Sequence, residues 1–127
     1  MSAVPSSCRV LIVDDESTIR SAGSSVLEHL GYTVDTAENG RHGLEMIEAQ
    51  AGAYNAVLLD LAMPVLDGTT ALTIIRQKYP TLPVLLMSGY LSDRVDHLLL
   101  LGGPTAVIQK PFSLTDLRDK LAALLAG

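Results

Sequence analysis

Five polar residues in this chain fall where short apolar runs stop. Asp14 and Asp15 follow Arg9–Val13, Asp60 follows Tyr54–Leu59, Ser88 follows Val84–Met87, and Thr105–Ile108 leads to Lys110. A carboxylate at the lip of a buried strand costs free energy unless something compensates it. Three carboxylates close together repel one another, and one must take a proton unless a cation joins them. An oxygen-rich cluster with few protein ligands suits Mg²⁺, which keeps several waters and readily shares a phosphate. Lys110 would add a mobile positive charge, and Ser88 a hydroxyl donor. A divalent ion, an ammonium and a hydroxyl around one carboxylate make a place to stabilise a phosphoryl group on that carboxylate, with Asp60 as the candidate nucleophile.

Taken one at a time these residues have plainer readings. Asp14-Asp15-Glu16 could cap a helix and favour its dipole. Ser88-Gly89 could be a turn, Lys110 a solvated lysine, and Asp60 a loop-capping carboxylate. What sets those readings aside is joint placement, and that depends on the elements around them. Arg9–Val13 and Val84–Met87 read as buried strands, as do Tyr32–Ala37, Tyr54–Leu59 and Thr105–Ile108. Helices are predicted between them. The first carries Ile19, Ala22, Val26, Leu27 and Leu30 and closes at Gly31; the second is capped by Asn39 and runs to about Ala51. The third spans Thr69–Tyr79, and the fourth lies near Ser92–Leu101 with Val95, Leu98 and Leu99 inward and Leu100 outward. The last follows a Ser113 cap with Leu114, Leu117, Leu121, Leu124 and Leu125 on its apolar face.

This strict alternation of five strands and five helices predicts an α/β fold, a doubly wound parallel sheet covered on both faces. A barrel would need about eight units. In an open sheet of this kind the site lies outside the carboxyl ends of the strands. Asp14, Asp15, Asp60, Ser88 and Lys110 would then meet at one edge, while the second strand contributes nothing there.

Composition narrows the remaining choices. The chain of 127 residues fits one domain, expected over 9–127 after a loose tail at 1–8, with no room for a second, DNA-binding domain. A net charge of −5 argues against a direct nucleic-acid surface. The single cysteine, Cys8, forms no internal disulfide and fits a reducing compartment. The start of the chain does not read as a signal peptide, and no apolar run approaches the roughly 18 residues of a membrane span, so a cytoplasmic domain is expected. His29, His42 and His97 have no metal-ligand spacing and read as exposed helix residues.

LIVDDE at 11–16, VLLDLAMPVLDG at 57–68, LMSGY at 86–90 and QKPFS at 109–113, in this order, resemble the receiver domain of two-component response regulators. The resemblance covers residues 9 to 125 and implies the flavodoxin-like strand order 2-1-3-4-5. It implies that Asp60 takes a phosphoryl group from a phosphohistidine of a histidine kinase or phosphotransfer domain. Asp15 and Asp60 would bind Mg²⁺ directly, Asp14 largely through water, and the Ala62 backbone carbonyl would be a further ligand. Lys110 would pair with phosphoryl oxygens, and Ser88 would swing its hydroxyl to the phosphoryl group. The Lys110-Pro111 bond is often cis in such domains. SGY and QKPFS resemble receivers fused to sensor histidine kinases, so a hybrid kinase is one expected setting and a stand-alone regulator the other. The implied activity is self-phosphorylation and autodephosphorylation.

Two rival functions are set against this one. A Mg²⁺-dependent phosphatase with an aspartyl nucleophile usually carries a second Asp two residues on, where this chain has Ala62. A degenerate receiver acting as a phosphate-independent binding module would not need the acidic pair, Asp60, Ser88 and Lys110 all intact. One departure from the receiver pattern matters for output. Val107 stands where receivers commonly carry a Tyr or Phe, and a β-branched aliphatic has no comparable swing. The face of the fourth helix, fifth strand and fifth helix, where a weak homodimer is also expected, should therefore respond weakly to phosphorylation. Backbone chemical shifts before and after phosphorylation test this: large changes confined to that face contradict it.

Overall fold

The strands alternate their side chains between the two faces of the sheet, as the period of two requires. The structure is a computed structural model that describes residues 8–63, 65–89 and 98–126. Its strands are β1 (Arg9–Val13), β2 (Thr33–Ala37), β3 (Ala56–Asp60), β4 (Val84–Ser88) and β5 (Thr105–Gln109). All pairings are parallel, in the order β2-β1-β3-β4-β5. Leu11, Val13, Val57, Leu59, Val84 and Leu86 point to one face, where α2 (Gly40–Ala49) and α3 (Gly68–Lys78) cover them with Ile47, Leu72 and Ile75. Val10, Ile12, Ala56, Leu58, Leu85 and Met87 point to the other, under Leu27 of α1 (Ser17–His29) and Leu117 and Leu121 of α4 (Leu114–Ala126). The doubly wound sheet and its order are therefore as the motifs implied.

Helix ends show where the sequence reading slipped. Gly31 (φ 105°) closes α1 in a Schellman turn: its N–H donates to the Glu28 carbonyl and that of Tyr32 to Leu27. Tyr32 thus belongs to the helix end, and β2 starts at Thr33 rather than Tyr32. The same turn ends α2 at Ala49, with Ala51 (φ 52°) in the left-handed position where glycine is usual. That is two residues short of the expected end. Asn39 and Ser113 cap as expected, accepting from the N–H groups of His42 (2.8 Å) and Asp116 (3.0 Å). Asp67 caps α3 in the same way through Thr70 (2.8 Å), so α3 begins at Gly68.

The apolar stripes need correcting at three points. Ala22 is exposed, and its neighbour Gly23 faces the sheet instead. A Cβ on Gly23 would stand 3.0 Å from Ile12 Cδ1, a close approach of α1 to β1 that a side chain would crowd. Leu114 is 53% exposed at the first turn of α4. Leu99, expected in the core, is 40% exposed; Leu98 takes the inward position, and the chain turns away after Leu99. The expected exposure of Leu100 is found. Most of the predicted fourth helix, including Val95 and His97, lies outside the described residues, as do residues 1–7 of the expected tail, Tyr90 and Pro64. Cys8, at the end of that stretch, is buried, and its carbonyl accepts from the Thr33 N–H.

One buried cation escaped the sequence reading. Arg76 donates to the carbonyls of Leu82 (2.7 Å) and Pro104 (3.0 Å) and to Thr105 Oγ1 (2.7 Å). It ties the lead-ins of β4 and β5 together below the sheet, and burial lowers its pKa.

Two glycines hold the segment after β3 close to its neighbours. A Cβ on Gly68 would stand 2.2 Å from the Asp60 carbonyl oxygen, and one on Gly40 2.2 Å from that of Leu66. Both obstacles are backbone and cannot rotate away. Gly68→Ala is expected to destabilise the domain by about 1–3 kcal/mol, the usual cost of forced overpacking. Urea unfolding checks this, and an unchanged midpoint would contradict it.

Candidate functional site

Strand register brings the polar residues together. Val13 pairs with Leu59, so Asp14 and Asp60 are the next residues on adjacent strands. Asp60 pairs with Met87, so Ser88 is the next step along β4, and the Lys110 N–H donates to the Ser88 carbonyl at 2.7 Å. The apolar residues beneath fix all four positions to one edge. Asp60 is the last residue of β3, one residue beyond the expected strand end, and the Leu61 N–H still donates to Met87.

The geometry divides the acids into two kinds. Asp14 is fully buried, and every polar atom it has is engaged. Its N–H donates to Ala37 (3.1 Å), its carbonyl accepts from Arg20 Nη1 (2.7 Å), Oδ1 accepts from the Glu16 N–H (2.9 Å), and Oδ2 accepts from Lys110 Nζ (2.8 Å). Asp60 is buried too, with Lys110 Nζ at 3.3 Å from Oδ2 and the Ala62 N–H donating to Oδ1 at 3.2 Å. Asp15 is exposed. One carboxylate oxygen from each of Asp14, Asp15 and Asp60 can be chosen so that all lie within 4.8 Å of one another. Ser88 is buried at the same edge. The Lys110-Pro111 bond is cis.

Electrostatics follow from this crowding. Burial pushes the Asp60 carboxyl up from 3.8 to about 6, and the nearby Asp14 charge adds to the rise; Lys110 and the Ala62 N–H pull the other way without winning. The Lys110 pKa also ends above its ordinary value. Burial opposes its charge, but the hydrogen bond and charge of Asp14, with Asp60 behind them, outweigh it. A single ammonium thus serves two buried carboxylates and leaves an excess of negative charge open to solvent through Asp15. That donor set, all hard oxygens, fits a hard divalent cation.

Asp14, Asp15, Asp60, Ser88 and Lys110 are therefore brought together as the sequence predicted. For Ala62 the contact shown is its N–H on Asp60. Two participants were missed. Arg20 anchors the Asp14 carbonyl, and its position one helical turn after the acidic triplet was the available signal. Glu16 was weighed only as a helix cap; it occupies the N-cap of α1 without a side-chain cap bond, and its Oε1 lies 3.7 Å from Lys110 Nζ.

The sequence matches the response regulator receiver domain family over residues 10–122, and the chain belongs to that family. The sensor kinase CckA of Brucella abortus is 34% identical over 119 residues, covering 94% of this chain and 13% of the kinase. The chain spans about half the length of curated transcriptional regulatory proteins that it also matches. Among solved structures, the chemotaxis protein CheY4 of Vibrio cholerae superposes with a TM-score of 0.82 at 30% identity, covering 92% of this chain and 98% of that one. The response regulator TrrA of Thermotoga maritima, solved with Mg²⁺ and beryllofluoride, does so with a TM-score of 0.80 at 32% identity and the same coverage. The domain is a two-component receiver with the CheY-like fold.

Folding raises the Asp60 pKa, so the folded state binds that proton more tightly than the unfolded chain. The ionised carboxylate then destabilises the fold, increasingly as pH rises from about 4 through about 6. In chelator at pH 7, Asp60→Asn is expected to be about 1–3 kcal/mol more stable than wild type, and the gain should vanish near pH 4. Denaturant unfolding at the two pH values decides. A variant less stable than wild type at pH 7 would contradict this electrostatic picture.

Proposed function

We propose that the domain accepts a phosphoryl group onto Asp60 from a phosphohistidine of a histidine kinase or phosphotransfer domain, with Mg²⁺ held by Asp14, Asp15 and Asp60 and the Ala62 carbonyl. The observation that carries this reading is the meeting of Asp60 and Lys110 at 3.3 Å beside two further carboxylates. Bound Mg²⁺ would supply charge to draw the acids together and to neutralise phosphoryl oxygens.

The rest of the chemistry belongs to the chain. An Asp60 carboxylate oxygen forms the new bond to phosphorus as the donor's nitrogen–phosphorus bond breaks. The proton that would otherwise occupy Asp60 must be absent, and a divalent cation held beside it would favour its loss. Lys110, protonated throughout the neutral range, turns from Asp60 to the incoming oxygens. Ser88 supplies a hydroxyl donor from the end of β4. Hydrolysis of the resulting acyl phosphate returns Asp60 and releases inorganic phosphate. Self-phosphorylation and this loss are the whole of its catalysis.

The domain proposed is 9–127, and of the tail expected at 1–8 the last residue, Cys8, already packs into the core. Among the described residues no helix is long and apolar enough to cross a membrane, which supports a cytoplasmic place. The relation to a sensor kinase supports a setting in a hybrid-kinase phosphorelay.

Incubation with acetyl phosphate and Mg²⁺, followed by intact mass measurement, tests the assignment. Wild type should gain one labile phosphoryl adduct and Asp60→Asn none. An unlabelled wild type, under conditions that label another receiver, would overturn it.

A further inference from the structure

Lys110 touches a third carboxylate that the phosphoryl chemistry does not use. Nζ lies 2.8 Å from Asp14, 3.3 Å from Asp60 and 3.7 Å from Glu16. The first two are buried and belong to the cluster able to hold a cation; the Glu16 side chain is 58% exposed and is not part of that cluster. A cation at Asp14 and Asp60 would compete for both inner partners of Lys110 and leave Glu16 unaffected. Glu16 is also fixed in place. It is the N-cap of α1, its N–H donates to Asp14 Oδ1, and its carbonyl accepts from the Arg20 N–H. It bonds no backbone N–H through its side chain, so helix capping does not account for the carboxylate.

Building on the phosphoacceptor reading, we propose that Glu16 is a positioning residue that holds Lys110 at the rim of the site and restrains phosphorylation by small anionic donors. Its charge acts twice in the same direction. It competes with phosphoryl oxygens for the ammonium, and it repels a dianionic donor such as acetyl phosphate at the mouth of the site. Both effects are Coulombic across a few ångströms of partly hydrated space, so salt weakens them. A packing role for the Glu16 stem would not respond to salt in this way.

The test compares wild type, Glu16→Gln and Glu28→Gln, the last removing the same charge near the far, exposed end of α1. Initial rates of labelling by acetyl phosphate with saturating Mg²⁺ are followed from low to high ionic strength. Glu16→Gln should be about threefold to tenfold faster than wild type at low salt, with the ratio falling toward one as salt rises, and Glu28→Gln should match wild type. The ¹⁵Nζ resonance of Lys110, observed without donor, should move in Glu16→Gln and not in Glu28→Gln. A Glu16→Gln rate equal to or below wild type, or a ratio indifferent to salt, overturns the proposal while leaving the receiver reading intact. A folded wild type that takes no label overturns both.

Discussion

The site depends on one ammonium placed among acids. Asp14 and Asp60 are buried side by side at the ends of neighbouring strands, and two carboxylates there repel each other and lack water. Lys110, whose side chain is 17% exposed, is within ion-pair distance of both. Removing it would take from both the ion-pair partner they share among the described residues, the costly way to break a buried pair. The surface pairs Lys78–Glu48 and Arg118–Asp119 carry no such weight, being solvated and screened. Much of the local architecture serves the buried trio. Register aligns the strand ends, Gly68 lets the chain after β3 fold back against the Asp60 carbonyl, and Arg20 pins the Asp14 backbone.

The compensation is deliberately incomplete in a physical sense: Lys110 is strongly protonated, yet Asp60 remains above its ordinary pKa. A fully neutralised cluster would have no affinity for a further cation. Asp14 has both carboxylate oxygens hydrogen-bonded and is the nearer counter-charge of Lys110, whereas Asp15 is exposed to solvent. This division explains how one edge can stay folded without a metal and still offer oxygens to one.

Much of this was legible in the sequence, because buried parallel strands leave short apolar runs whose last residues face one edge. Arg9–Val13 and the apolar stretch before Asp60 announced β1 and β3, and the motifs supplied the order. What was not legible came from approaches between distant backbone segments. Gly23 was hidden because a glycine carries no hydrophobic signal, although α1 comes close to Ile12 there. Arg76 reads as a solvent-facing helix residue until its acceptors, Leu82, Pro104 and Thr105, are brought to it by the fold. Glu16 was assigned to the helix end nearest in sequence, while its partner lies across the site on the segment after β5.

A carboxylate cluster left short of positive charge should take up a hard cation and, with it, a phosphoryl-like group. Thermal melting at neutral pH in buffer, with Mg²⁺, with beryllofluoride, and with both together reads this directly, since anything that binds only the folded state raises its stability. A modest rise with Mg²⁺, none with beryllofluoride alone, and a much larger rise with both is the predicted pattern, lost in Asp60→Asn. A melting temperature indifferent to Mg²⁺ and beryllofluoride together would contradict it.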